Sequence, residues 1–442
     1  MILPARGPAG GGPSPPTSEP FLAALAIASE SLTVRALDDI FDAAGVLLVS
    51  REHELPVAVQ QRLARRHLAR PMEACIGIDG GVTALDIEAA AVAMCQGSAF
   101  LALLVGADLA RLQALLRSMW LSPFASLVLS VQRAVKAETF EHAVLCAMLA
   151  GTLALRDKRS AVSPESAVHA GLLHDVGEMY LNPDKPGYGA GMDTDRWVEM
   201  AQHPEVGARL IEQFTEGPSE VWRAVHEHHE RLDGSGYPRG LGGDAMSPLG
   251  RLLSLVEAVC GILRAPDNQG RRVKLAVSFV AGEFDPHLVS IMLAPIGASL
   301  AAKVALPASF DEAAALERAR SIRQCLDVAS HHLDHVTPAS LTVDKMDGVV
   351  AFARRHVARL ALSWAATGID TYFAFNRCLS SSPGEDEASY LDLEVASREL
   401  KWRMRSLARH VGLMLRNLPP PIPDTLMAAM AALDRDSSPP VQ

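Results

Sequence analysis

Five separated positions in the middle of the chain offer imidazoles or carboxylates in a fixed order: Glu138 with His142, His174-Asp175, His203-Pro204, His228-His229, and Glu257. Each lies on, or at the end of, a stretch whose apolar residues recur at three- and four-residue spacing, the period of an amphipathic helix. The stretches are VQRAVKAETFEHAVLCAMLAGTLALR, SPESAVHAGLL, HPEVGARLIEQF, PSEVWRAVHEHHE and SPLGRLLSLVEAVCGIL, parted by Gly and Pro turns. Ser163 reads as the N-cap of the second, with Pro164 at its first helical position. If these groups are to meet, the region from 122 to 305 has to pack as an all-helical domain.

The residue types suit a metal cluster. Glu138 and His142 stand four apart and share one helical face. His228 and His229 are adjacent and point about 100° apart on a helix, so each could serve a different ion. Imidazole and carboxylate without thiolate suit Fe, Mn, Zn or Ni, and Asp175 could bridge two ions through its two oxygens. Taken singly the signals are weak. An HD dipeptide arises by chance, His203-Pro204 reads equally well as a capping histidine, and His228-His229 as a solvated helix end. The order of the set, closed by HHERLDGSGYPRGL at 228–241, is what carries weight. That last stretch runs from paired imidazoles into a glycine-dense turn.

In combination these segments resemble the HD-GYP domain, a branch of the HD phosphohydrolase superfamily. HAGLLHDVGEMYLNP resembles its HD segment, AQHPEVGARL its His-Pro segment, HHERLDGSGYPRGL its name-giving loop, and GEFDPHLVSIML the segment that ends such domains. The likeness covers roughly residues 122–300. It implies an all-helical domain with two or three divalent ions, iron or manganese before zinc or nickel, that hydrolyses cyclic di-GMP to pGpG or GMP. His142, His174, Asp175, His203, His228 and His229 fall on the family's metal ligands, with His174 and Asp175 at the catalytic centre. Glu138 falls where members with a third metal place a carboxylate, and Glu257 on the last Asp ligand. A metal-bridging hydroxide would attack phosphorus in line with the departing 3′ oxygen. Glu178, Asp233, Gly236, Tyr237, Pro238 and Arg239 would form the substrate wall. The loop in such domains is also thought to contact partner proteins.

Three departures from the pattern matter. Glu178 stands where the family has a phosphate-contacting Lys. Charges ~4 Å apart interact by several kcal/mol at an effective dielectric of about 20, so Glu178 would weaken the hold on a phosphodiester. Glu257 keeps the carboxylate of the usual Asp with one more methylene, or is an ordinary helix-surface Glu. The DxxDA and RPYR features are replaced by EAVCGILRAPDNQGRRVKLA, with Cys260 at the second Asp position. Arg264, Arg271, Arg272 and Lys274 could restore phosphate contacts or belong to a solvated loop. Two functions therefore stand side by side: a cyclic di-GMP phosphodiesterase, and a weakly catalytic sensory or scaffold protein that signals through partners.

The rest of the chain bounds these readings. A formal charge of −10 without a basic cluster argues against a nucleic-acid polymer as partner. The cysteines at 75, 95, 146, 260, 325 and 378 form no CxxC, which suggests free thiols in a reducing compartment. No membrane span is expected, because the best apolar run, SAFLALLVGADLARL, is broken by Asp108 and Arg111 short of the ~20 residues a spanning helix needs. MILPARGPAGGGPSPPTSEP lacks the apolar segment of a signal peptide, so residues 1–20 are expected to be a disordered leader. Short β-prone pieces (VRALDDIFDAAGVLLVS, ACIGIDGG) make 21–121 a small α+β module. Residues 306–442 are expected to be helical with a loose tail over the last seven positions, which makes the chain mainly α. His331, His332, Asp334 and His335 read as a polar helix surface, and His169 and His226 as supporting or surface groups. KWRMRSLARHVGLMLRNL is a basic amphipathic helix that suits a bundle better than a membrane or partner surface. A cytoplasmic protein is expected, its oligomeric state open, a homodimer included.

Overall fold

A computed structural model of the protein describes residues 18–159, 162–181, 194–215, 217–264, 268–301, 310–336, 344–368, 385–416 and 418–435. The C-terminal tail at 436–442, residues 1–17 of the leader and Cys378 lie outside the described residues.

The N-terminal part holds α1 (Glu19–Ala28), β1 (Val34–Ala36), β2 (Ile40–Phe41), β3 (Leu47–Val49), α2 (Val57–Ala64), β4 (Ile76–Ile78), α3 (Ala84–Gly97), α4 (Ala99–Val105) and α5 (Leu109–Ser118). Strands β1 and β4 pair antiparallel with Val34 opposite Ile78, and β2 pairs with β3 in a second two-stranded sheet. The two β-prone sequence pieces are the four strands.

The middle is helical throughout: α6 (Pro123–Val135), α7 (Ala137–Arg156), α8 (Pro164–Leu173), α9 (Thr194–Met200), α10 (His203–Phe214), α11 (Ser219–Glu227), α12 (Pro248–Leu263), α13 (Gln269–Ser278) and α14 (Pro286–Leu293). A Ser-Pro pair opens three of these helices. Ser122, Ser163 and Ser247 each accept a bond from a first-turn amide, and the following Pro has no N–H that needs a partner. Gly177 sets how closely the turn after Asp175 approaches α10. A Cβ there would lie 2.1 Å from the His203 carbonyl oxygen, so only glycine lets the two candidate ligands come together.

One apolar core runs from Phe21 to Ile296, spanning the N-terminal part and the helical middle. A second core joins α15 (Glu312–Asp334), α16 (Asp344–Ala366), α17 (Glu385–Arg416) and α18 (Asp424–Asp434). The basic helix α17 buries Leu400, Met404, Leu407, Val411 and Leu415 in that bundle. The chain is mainly α, as its periodicity indicates.

Two stretches bear on the membrane-span expectation: Ala99–Ser118 and Ala137–Arg156 are both long and apolar enough, by length and composition alone, to cross a membrane, a test that core helices also pass. The first contains a 3₁₀ turn at Gly106–Asp108 between α4 and α5. The second is α7, whose apolar window is 67% buried in the core.

Candidate metal centre

Helix spacing brings the ordered set together. His142 lies one turn into α7, His174 and Asp175 follow the end of α8, His203 begins α10, His228 and His229 follow α11, and Glu257 sits mid-way along α12. His174, His203 and His228 are completely buried, and Asp175 and His229 nearly so.

The donors divide into two groups. His142, Cys146, His174 and Glu257 form one, and Asp175, His203, His228 and His229 the other. In the first, His142 Nε2 is 3.1 Å from Glu257 Oε2, and His174 Nε2 is 3.3 Å from both His142 Nε2 and Glu257 Oε2. In the second, His203 Nε2 is 3.1 Å from His228 Nε2. Asp175 connects them. Its Oδ2 is 3.1 Å from His174 Nε2, while its Oδ1 is 3.4 Å from His203 Nε2 and 3.5 Å from His228 Nε2.

These residues fit divalent ions on two grounds. First, three imidazoles are fixed by the backbone in the same way. Nδ1 of His174, His203 and His228 donates to the carbonyls of Gly171, Met200 and Val225 respectively, each three residues earlier. A proton on Nδ1 leaves the Nε2 lone pair facing inward, the orientation that backbone carbonyls impose on metal-binding histidines. Two inward lone pairs at 3.1 Å repel unless a proton or a metal ion lies between them. Second, Asp175 Oδ1 is buried and makes no hydrogen bond. A buried carboxylate oxygen left this way is costly and calls for a cation.

The electrostatics agree. Burial opposes charge on Asp175 and Glu257, yet neighbouring imidazoles hold both carboxyls well below the usual range. Burial also opposes charge on His174, but Asp175 and Glu257 raise it well above an ordinary imidazole. Burial pushes His228 down to about 4 and His229 well below the usual range, helped by neighbouring histidines. The site thus favours positive charge near the carboxylates and two neutral imidazoles beside them.

Several sequence expectations fall outside the cluster. Glu138 shares a face with His142 by spacing but is exposed in the first turn of α7 and belongs to neither donor group. The sequence reading leaves thiolate out of the donors. Cys146, four residues beyond His142 and so one helical turn along the same face, nevertheless stands among the candidate donors. Glu178 is partly buried, and burial with the nearby Asp175 carboxylate raises its carboxyl to about 7. Arg271 is tied to Asp392 of α17, and Arg264 and Lys274 are exposed. His169 bridges the carbonyls of Glu165 and Trp120. His226 is half-buried, its imidazole pushed down by burial. His331 and His335 stand exposed on α15, with His335 Nδ1 donating to the His331 carbonyl.

The glycine-dense loop packs against the second donor group. Tyr237 is buried, stacks on His229 at 4.6 Å and makes an edge-type contact with Trp197. A Cβ on Gly236 would lie 2.4 Å from the His229 carbonyl oxygen, so the loop can approach the ligand only with glycine there. Pro238 follows through a cis bond. Arg239 is partly exposed, 3.6 Å from Glu227.

Sequence reading misses what holds the loop. Glu230 is fully buried and accepts the amides of Arg239 and Leu241, each at 2.8 Å. Burial raises its carboxyl to about 7. On the outer side, Asp233 accepts from Arg359 at 2.9 Å and from Ser235, and its carbonyl faces His356 Nε2 at 3.3 Å. Glu283, buried, takes two bonds from Arg403 of α17. The C-terminal bundle therefore clasps the loop that presses on His229. Glu230's place directly after His229 is the one sequence signal for any of this.

Known proteins resemble the region that carries these donors. Residues 126–276 match the HD domain family. A cyclic di-GMP phosphodiesterase of Pseudomonas aeruginosa is 32% identical over 171 residues, 36% of this chain and 39% of that protein. A 3'3'-cGAMP-specific phosphodiesterase of Vibrio cholerae is 32% identical over 154 residues, 33% of this chain and 34% of that protein. A cyclic di-GMP phosphodiesterase response regulator of Xanthomonas campestris is 30% identical over 131 residues, 27% of this chain and 34% of that protein. The chain spans less than two fifths of the length of these relatives. A solved HD-GYP protein of Bdellovibrio bacteriovorus, 22% identical, superposes with a TM-score of 0.29 over 37% of this chain and 56% of that one. The helical middle thus matches the HD domain family, and the chain is HD-GYP-like.

Proposed function

We propose that the chain is a metal-dependent phosphodiesterase that opens a cyclic dinucleotide, cyclic di-GMP first, to pGpG and onward to GMP. The observation that carries this is the division of Asp175, one oxygen toward each donor group. Two divalent ions held there would neutralise the phosphodiester, lower the pKa of water and support the leaving oxygen. His142, His174 and Glu257 would hold one ion; His203, His228 and His229 the other. Tyr237 would fix the His229 ring by stacking. Arg239, partly exposed, is a guanidinium the loop can offer to phosphate.

Iron or manganese is proposed for the metal, from the imidazole and carboxylate majority of the donors. A third ion at Glu138 lacks support, given that residue's exposure. Among the described residues, five buried free cysteines are consistent with a reducing cytoplasm.

A second reading, a weakly catalytic sensor or scaffold, is favoured by one observation. Glu178 places an acidic group beside Asp175 where a phosphate has to dock. The test is to purify the protein without a histidine tag under anaerobic, reducing conditions, count its metals, add cyclic di-GMP or 3′3′-cGAMP, and separate the products by chromatography. Linear dinucleotide or mononucleotide that disappears with Asp175→Ala supports the enzyme. Full metal occupancy with no turnover of either nucleotide supports the sensor.

A further inference from the structure

Cys146 is the donor that neither the resemblance nor the proposed function uses. It lies on α7 one turn beyond His142 and is completely buried. A buried free cysteine is most often a small apolar residue. Here its sulfur faces ligand atoms. Sγ is 3.7 Å from His142 Nε2 and 3.6 Å from Glu257 Oε2, the two atoms that are themselves 3.1 Å apart.

Those separations can be compared with what a shared ion requires. Bonds of about 2.0–2.1 Å to nitrogen or oxygen and ~2.3 Å to sulfur put tetrahedral donors roughly 3.4 Å apart, or about 3.6 Å when one is sulfur. The sulfur distances match the second value. The two contacts that His174 Nε2 makes in this group, both 3.3 Å, match the first.

We propose that Cys146 supplies a sulfur ligand to the ion held by His142, His174 and Glu257. This rests on the metal-centre reading above and makes the two halves chemically unlike: imidazole, carboxylate and sulfur in one, imidazole and carboxylate alone in the other. As the sulfur–metal bond forms, the S–H bond breaks and its proton leaves to solvent; no oxidant is involved. A sulfur donor favours zinc, cobalt or ferrous iron over manganese or magnesium in the first half. The protein would then take up mixed metals, the softer in the half that contains Cys146.

Cobalt(II) is the probe, because a thiolate bound to it gives an intense near-ultraviolet charge-transfer band that nitrogen and oxygen ligands do not. Full-length protein is stripped, reloaded anaerobically with cobalt, and its spectrum and bound metal are recorded together. The wild type is expected to show the band. Cys146→Ser and Cys146→Ala should lose it, and the zinc-over-manganese preference of one site should fall ~10–100-fold, the range seen when a metal's support is altered. Cys260→Ala is the control. Cys260 neighbours Cys146 but belongs to neither donor group, so the band should remain. Circular dichroism and cobalt still bound at the second half show that the variants fold. Cobalt bound by the wild type without the band, or a band that survives Cys146→Ser, overturns the proposal while leaving the metal centre standing. Failure of the wild type to bind cobalt, zinc or manganese overturns both.

Discussion

The donors around Asp175 Oδ2 come from α7, the end of α8 and α12, three helices of the main apolar core. Those around Oδ1 come from the start of α10 and the end of α11, beside the glycine-dense loop. The first half is positioned by core packing and by the bond from His174 Nδ1 to the Gly171 carbonyl. The second is positioned by a loop that depends on Glu230 from within and on Arg359 and His356 of the C-terminal bundle from without. One centre thus joins a half set within the core to a half that also leans on distant parts of the chain.

The largest effect that would test this division is loss of the shared residue. Asp175→Ala should empty both halves and reduce turnover by on the order of a thousandfold or more, since both ions act on one phosphodiester. Metal analysis and product chromatography check it together. Single-half variants should separate the two. His203→Ala should leave about one ion per chain, retained by the first half, and His142→Ala should leave the one retained by the second. Equal loss of both ions in each variant would mean that the halves are not independent.

Glu178→Lys comes next. It restores a cation beside the site and should tighten binding of cyclic di-GMP by roughly tenfold or more, at little cost in metal content. Titration calorimetry with a non-hydrolysed analogue measures it, and unchanged affinity would remove Glu178 from the substrate wall. Arg359→Ala leaves the Asp233 carboxylate, nearly buried, without its ion pair. That should cost about 1–3 kcal/mol of stability, read by thermal melting, and lower metal occupancy of the second half before the first.

The smallest effect is a pH dependence of the clasp. Burial lowers His410 of α17 from 6.5 to about 4, helped by the nearby His356. A depressed folded-state value means that the stability it confers is complete above the unfolded value and is lost as pH falls from about 6.5 toward 4. His410→Phe should therefore flatten the thermal-melting profile across that window relative to the wild type.

Much of this is legible in the sequence, for identifiable reasons. Helical spacing fixes which side chains share a face, so His142, His174-Asp175, His203, His228-His229 and Glu257 can be assembled on consecutive helices from the sequence alone. The same rule misleads at Glu138. It shares the His142 face, but α7 begins at Ala137, and its first turn stands in solvent. Cys146 escapes such a reading because a thiol in an apolar helix looks like packing until its neighbours across the core are known. Glu230 and Glu283 are carboxylates held by backbone amides or by arginines; apart from Glu230's place directly after His229, nothing in their spacing marks them as buried. Arg359 and Arg403 reach the loop region from more than 100 positions away in sequence, beyond any local pattern.

The central claim is that one carboxylate, Asp175, joins two ions. Electron paramagnetic resonance of the stripped protein reloaded with two equivalents of manganese(II) tests it most directly. An exchange-coupled spectrum is expected from a carboxylate-bridged pair, collapsing to an isolated six-line signal in His203→Ala. Two bound manganese ions per chain that give only uncoupled six-line signals in the wild type would contradict it.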